Sequence, residues 1–221
     1  MNWLASIRLD YELVARRRLN DSYNWHKAAW DAFQGMEKAK NGTSGQTDSE
    51  NRTPFLSRVI KKTDMVELLI LSRTKAEKPK WCPENCWRIS EIQPSFLSYN
   101  QYLFDLYANP TRKIKKQNSG GEFTKNGKRL TILKSKEQMK WLQRKAEENG
   151  FKLCHQLNTE ILPGDFHSFI KNGKKGLHIG VQFKGLLEVC DRQLFENAFI
   201  QGIGSAKGFG FGMLMIKPIS I

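Results

Sequence analysis

The chain has 221 residues, with 36 lysines and arginines against 22 aspartates and glutamates for a formal net charge of +14. That length allows one large domain or two of about 100 residues each, and 39% hydrophobic residues, with 13 Phe and 6 Trp, exclude wholesale disorder. So large a positive excess costs self-repulsion and favours a polyanionic partner, nucleic acid ahead of a membrane surface.

No run reaches the roughly 18 to 20 apolar residues that span a bilayer. Met1-Asn2-Trp3-Leu4 does not open a charged-then-apolar signal peptide, so a cytoplasmic location is expected. Cysteines at 82, 86, 154 and 190 do not make a secreted disulfide frame.

From the N-terminus, Trp3, Ala5, Ile7 and Leu9 alternate with Asn2, Leu4, Ser6 and Arg8, the period of a strand with one apolar face. A basic connection, Arg16-Arg17-Arg18, leads to Asn20-Asp21-Ser22, residue types that cap helices. The helix predicted from there runs to about Met36, because Trp25, Ala28, Ala29, Ala32, Phe33 and Met36 gather on one arc at about 100° per residue. Tyr23 and His26 are surface neighbours three residues apart, Tyr23 opposite that arc and His26 on its shoulder. A single helical histidine is ordinarily satisfied or solvated. Beside a tyrosine in a first turn, where backbone N–H groups favour anions, it becomes a functional candidate.

Residues 38–52 collapse to small and polar types and read as a surface insert. Phe55 to Ile60 and Met65 to Ser72 form a predicted strand pair, and Trp87 to Ile92 an edge strand. Cys82 and Cys86 lie between them, but one C-x-x-x-C without a second pair at ligand spacing does not make a zinc site, and no metal is expected. Gln93-Pro94-Ser95 begins a linker, which puts a domain boundary between residues 93 and 94.

The second half repeats the layout. Tyr102, Phe104, Leu106 and Ala108 alternate as a strand that Asn109-Pro110 stops. From Arg112 to Lys152 there are thirteen Lys or Arg against four Glu, a local net of +9. Such a run is a solvated face or a phosphate-tracking surface, and its place beside a strand end favours the second. Ser135-x-x-Gln138 has the form of a capping box for a helix carrying Met139, Leu142 and Ala146 and closed by Gly150. Phe151 to Leu157 and Asp165 to Ile170 read as strands. Asn172-Gly173-Lys174-Lys175 reads as a hairpin turn with two cations at its tip, followed by a long strand from Leu177 to Val189.

Asp191 then caps a helix with Leu194, Phe195, Ala198 and Phe199 on its apolar side. After it comes Gln201-Gly202-Ile203-Gly204-Ser205-Ala206-Lys207-Gly208-Phe209-Gly210-Phe211-Gly212, with five glycines and one lysine. A backbone this permissive can turn tightly from helix to strand, and it can also wrap N–H groups around a phosphate. A dinucleotide fingerprint would follow a strand and open a helix, and here the order is reversed. Phe209 to Ile216 reads as the closing strand, whose alternation assigns Phe209 and Phe211 to the core rather than to base stacking. Strand, helix, strand, strand, helix, strand describes the second half well and the first half with a degenerate second helix. The expected class is therefore α+β, two ferredoxin-like (RRM-like) βαββαβ units in tandem, residues 1–93 and 94–221.

In this order and spacing the chain resembles the CasE family, CRISPR RNA-processing endoribonucleases of type I-E Cascade, from end to end. The resemblance rests on Tyr23-x-x-His26-x-x-x-Trp30, the strand end Phe104-Asp105-Leu106-Tyr107-Ala108-Asn109-Pro110-Thr111-Arg112-Lys113, and Gly127-Lys128-Arg129. It rests further on Trp141-Leu142-Gln143-Arg144-Lys145 and on Phe183-Lys184-Gly185-Leu186-Leu187-Glu188-Val189 leading to the glycine stretch. One departure is the strand end, which reads Phe-Asp-Leu-Tyr where relatives carry more arginine and so shifts RNA contact toward Arg112, Lys113, Lys115 and Lys116. The 38–52 insert and the Cys82/Cys86 pair match nothing in the family.

What the resemblance implies is metal-independent cleavage of a CRISPR repeat RNA at the base of its stem-loop, without a cofactor. The 2′-hydroxyl upstream of the scissile phosphate attacks in line and leaves a 2′,3′-cyclic phosphate and a 5′-hydroxyl. Histidine titrates near neutrality, so His26 is the candidate general base or acid. Tyr23 is the candidate that holds the phosphate or the ribose. The candidate RNA contacts are Arg112, Lys113, Lys115, Lys116, Lys128 and Arg129, with Gly202, Gly204, Lys207 and Gly208 at the developing charge; Lys174 and Lys175 are weaker ones. The implied partners are the repeat stem-loop and other Cascade subunits, no membrane, with the chain a monomer outside the complex. The competing reading is a non-catalytic RNA-hairpin-binding subunit of a ribonucleoprotein.

Overall fold

The alternating N-terminal segment forms β1 (Asn2–Asp10), with Ala5, Ile7 and Leu9 turned into a core. The structure is a computed structural model that describes residues 1–34, 54–114, 128–171 and 174–219. Asp10 then caps a short helix that the sequence analysis does not predict, α1 (Tyr11–Arg16); its carboxylate accepts from the Leu13 N–H at 2.7 Å. In α2 (Ser22–Trp30) the cap is Asp21, accepting from the Asn24 N–H at 2.8 Å. This helix ends at Trp30 rather than near Met36. Ala32 and Phe33 still reach the core, but from turns. Met36 and the 38–52 insert lie outside the described residues.

The first sheet adds β2 (Phe55–Lys61), β3 (Met65–Ser72) and β4 (Trp87–Ile92) in the order β2-β3-β1-β4, antiparallel throughout. That is the strand order of a ferredoxin-like unit. Where its second helix belongs there is only a 3-10 turn, Glu84–Cys86, as the degenerate pattern predicted. Cys82 packs into the core beside this turn, where burial pushes its thiol up to about 11. The predicted linker is itself a 3-10 turn, Pro94–Leu97, that buries Leu97.

The second unit begins with β5 (Gln101–Ala108), whose Tyr102, Phe104, Leu106 and Ala108 are buried as the alternation requires. A two-stranded ribbon, β6 (Thr111–Ile114) with β7 (Lys128–Thr131), is inserted before α3 (Ser135–Glu148). The predicted capping box at Ser135 does not form. Lys134 occupies the cap position without a side-chain bond, and buried Gln138 instead donates its amide to the Ile132 and Leu133 carbonyls at 3.0 and 3.2 Å. After β8 (Phe151–Leu153), which stops short of Leu157, β9 (Glu160–Lys171) and β10 (Lys174–Val189) make a long hairpin. Its tip, Asn172 and Gly173, lies outside the described residues. The chain ends with α4 (Arg192–Gln201), capped by Asp191 at 3.0 Å, the glycine stretch, and β11 (Leu214–Pro218). The order β11-β5-β10-β8 repeats the permutation of the first sheet.

The two units share one interface because β3 is apolar on both faces. Val66, Leu68 and Ile70 line the core of the first unit, while Leu69 and Leu71, with Leu56 of β2, pack into the core of the second. No helix among the described residues is long and apolar enough to cross a membrane.

Candidate active site

The edge of the first unit that carries α2 and β2 meets the glycine stretch of the second. Gly202 ends α4 at φ +74°, and a Cβ there would come within 2.9 Å of the Gly212 carbonyl and of Leu56. Gly212, at φ +86°, would put a Cβ 2.6 Å from the Ile203 carbonyl. These two positions need glycine for both conformation and space. The expected closing strand starts only at Leu214, and the preceding residues 207–209 form a 3-10 turn instead. That turn packs on α2 and β2.

On this turn Phe209 is not part of a core strand. It stands half-buried on the turn with its ring stacked on His26, centroids 6.5 Å apart, and also touches His178 at 4.9 Å. Phe211 is fully buried, as the core assignment required. His26 is partly exposed and further contacts Phe55 at 5.8 Å, and its Nε2 accepts from the Trp30 indole at 3.0 Å. Tyr23, one turn before, carries the Lys27 ammonium over its ring at 4.3 Å. Imidazole, phenol and glycine turn are thus on one surface.

Several N–H groups of the glycine stretch are already bonded within the protein. The N–H of Gly202 closes α4 on the Ala198 carbonyl, and those of Ile203, Phe209, Gly210 and Gly212 donate to Gly212, Ala206, Lys207 and Tyr107. Gly202 therefore shapes the turn rather than donating to a ligand, and Gly204, Lys207 and Gly208 lie further along the same stretch, partly exposed. Gly204 is also fixed by packing, since a Cβ there would sit 3.1 Å from Trp141.

From this segment the surface continues to the basic ribbon. Ser205 bridges Asn109 at the end of β5, donating its hydroxyl to the Asn109 carbonyl at 3.1 Å, and lies 3.3 Å from the Thr111 hydroxyl that opens β6. Arg112, Lys113 and Arg129 follow on the ribbon with exposed side chains, Arg112 within 3.9 Å of Glu137. Lys128 is on β7, and Lys115 and Lys116 lie outside the described residues. Lys174 and Lys175 open β10.

Two histidines that sequence reasoning passed over belong to this surface. His167 and His178 face each other across β9 and β10. The Tyr107 hydroxyl bonds His167 Nε2, and the Asn109 amide bonds His178 Nδ1 at 3.1 Å. Burial, and then the neighbouring His167, lower the pKa of His178. The signal was available: pairing 171 with 174 and counting outward sets 167 opposite 178. Three of the chain's four histidines thus surround Phe209 and Phe211. Gly180 makes room for this cluster, because a Cβ there would coincide with the Tyr107 phenol.

The family model for the CRISPR associated protein matches residues 2–218. Among curated relatives, the CRISPR-associated endoribonuclease Cse3 of Thermus thermophilus is 25% identical over 232 residues, covering 98% of this chain and 100% of that protein. The CRISPR system Cascade subunit CasE of Escherichia coli is 25% identical over 219 residues, covering 94% and 97%. A solved structure of the endoribonuclease Cse3 bound to a 19 nt RNA superposes with a TM-score of 0.71 at 23% identity, covering 98% and 99%, and shares the fold.

Proposed function

The chain belongs to the CRISPR-associated protein family, and from that premise we propose that it is a metal-independent endoribonuclease that cleaves CRISPR repeat RNA at the base of its stem-loop. Its relatives are named as an endoribonuclease and as a Cascade subunit. The observation that carries the reading is the contact between the His26 ring and Phe209 of the glycine turn, which puts a group able to exchange protons near neutrality against a turn that carries Lys207.

The roles follow from charge. The imidazole of His26 takes part in proton transfer as the 2′-oxygen forms its bond to phosphorus and the 5′-oxygen leaves. Lys207 and the N–H groups of the 204–208 segment face the charge that builds on the non-bridging oxygens. Tyr23 holds the phosphate or ribose through its hydroxyl. The ribbon residues Arg112, Lys113, Lys128 and Arg129, with Lys115 and Lys116, follow the phosphates of the stem, since RNA duplexes are read mainly through shape, phosphates and 2′-hydroxyls. Imidazole, ammonium and backbone amides suffice for this chemistry, so the reaction is expected to proceed in EDTA. Residues 1–93 supply the imidazole and 94–221 the glycine turn and basic surface. The product remains bound, and the chain acts in the cytoplasm as a subunit of a Cascade complex.

The test is single-turnover cleavage of the host's repeat hairpin. His26→Ala should slow it about 10²- to 10⁴-fold while the hairpin still binds, and wild type should cut at the same rate with and without EDTA. Tight binding by the wild type with no cut from pH 6 to 9 would leave an RNA-binding subunit instead.

A further inference from the structure

The indole N–H of Trp30 donates to Nε2 of His26 at 3.0 Å, one turn along α2. Indole has one N–H and no acceptor, so this bond exists only while Nε2 carries a lone pair. The proton of the neutral ring is then on Nδ1. Neutral imidazole in water prefers the other tautomer, so the protein imposes this one. Trp30 can impose it because it is itself held. Its ring meets Phe55 edge-on at 5.3 Å, and Phe55 stacks on Phe33 at 5.0 Å with an interplanar angle of 2°. Phe55 and Phe33 are buried in the core of the first unit, so the series from Phe33 to His26 is anchored at one end and ends at the reacting ring.

We propose that Trp30 is a positioning residue for RNA cleavage, keeping Nε2 of His26 unprotonated and correctly turned until the attacking 2′-hydroxyl takes the place of the indole N–H at that nitrogen. The proposal rests on the assignment of His26 as the proton-transfer group and makes it the base. The 2′ O–H donates to the Nε2 lone pair, and its proton moves there as the 2′-oxygen bonds to phosphorus. The 5′-oxygen leaves with the electron pair of its bond to phosphorus and takes a proton from water, and the imidazolium returns its extra proton to solvent. Displacing one neutral hydrogen bond costs little when another replaces it, which suits a group that must be in place before substrate and yield to it.

Nitrogen-15 spectra of the histidines in the full chain test this without relying on activity. In wild type, His26 should be protonated on Nδ1 and bare on Nε2; a proton on Nε2 overturns the proposal outright, whatever any variant does. Trp30→Phe keeps an aromatic ring against Phe55 and removes the donor. It should move His26 to the Nε2-protonated form and slow single-turnover cleavage about tenfold, with hairpin affinity within about twofold. An unchanged tautomer or an unchanged rate in that variant overturns the proposal. If His26→Ala cuts like wild type, the assignment of His26 has failed. If His26→Ala is inactive while Trp30→Phe matches wild type in tautomer and rate, only the role of Trp30 has.

Discussion

Arg58 of β2 and Asp105 of β5 join the two units: the guanidinium meets the carboxylate at 2.7 Å and also donates to the Asp105 carbonyl at 3.1 Å. Gln182 of β10 donates to the other carboxylate oxygen at 2.8 Å, so the acid is held from both units. Because β2 also packs on the 207–209 turn, this pair fixes the site's two halves relative to one another. The Arg58 side chain is 6% exposed and that of Asp105 28%, so removing one partner leaves the other poorly solvated. Arg58→Met and Asp105→Leu should each destabilise by about 2 kcal/mol. The double variant should fall short of the sum by at least about 1 kcal/mol. Urea denaturation of the four proteins measures this; strict additivity would mean that the pair does not couple.

Phe209 and Phe211, two residues apart, should separate function from stability. Phe211 is fully buried, and Phe211→Ala should cost about 3 to 5 kcal/mol of stability. Phe209 is half-buried, and its ring contacts include the imidazoles of His26 and His178. Phe209→Leu should therefore cost no more than about 1.5 kcal/mol while slowing cleavage of the hairpin by about tenfold or more. Paired thermal melts and single-turnover rates decide it. Equal losses in both variants would place Phe209 in the core after all.

The contrast between these two rings shows what could be read from the chain. Strict alternation gave β1 and β5 with their buried faces, and Asp21 and Asp191 gave two helix starts, because these signals are local. The strand predicted over residues 209–216 begins only at Leu214, because period-2 alternation of Gly and Phe also fits a turn in which glycines take positive φ, and nothing local distinguishes the two. Ser135 failed as a cap because Gln138 found carbonyls in the segment before the helix. The Tyr23–His26 motif was legible, as was its company with the glycine stretch. Arg58, Trp30 and His178 were not singled out. Arg58 needs the second unit to explain it and His178 the pairing of two long strands, whereas Trp30 stood in the motif with only its i,i+4 spacing from His26 to hint at a bond.

His178 makes stability depend on pH near neutrality. Its folded pKa is depressed by burial and by His167, while in the unfolded chain it titrates near 6.5. Below that value the unfolded chain binds a proton that the folded protein resists, so stability should be full above about pH 7 and fall as the pH drops through the unfolded pKa. The carboxylates Glu67, Glu148 and Glu188, whose pKa values are lowered by lysine and arginine partners, contribute in a separate window nearer pH 4. Melting temperatures from pH 7.5 to 5 should decline for wild type and flatten for His178→Gln. Parallel curves for the two proteins would refute the assignment.

On the ribbon, Lys113 stands directly opposite Arg129, and both side chains are exposed. Like charges facing each other across two strands repel and weaken the pairing, a cost that disappears when a phosphate sits between them and accepts from both. A geometry that is unfavourable alone and favourable with RNA predicts opposite effects in the two states. Lys113→Gln and Arg129→Gln should each leave the RNA-free protein as stable as wild type or slightly more so. Each should weaken hairpin binding and reduce the slope of log affinity against log salt by about one unit. Arg112 is partly satisfied by Glu137 at 3.9 Å, and Arg112→Gln should reduce the slope less. Filter binding between about 50 and 200 mM salt, alongside melts without RNA, measures both sides. A salt slope unchanged in the Lys113 and Arg129 variants would move the RNA path off the ribbon.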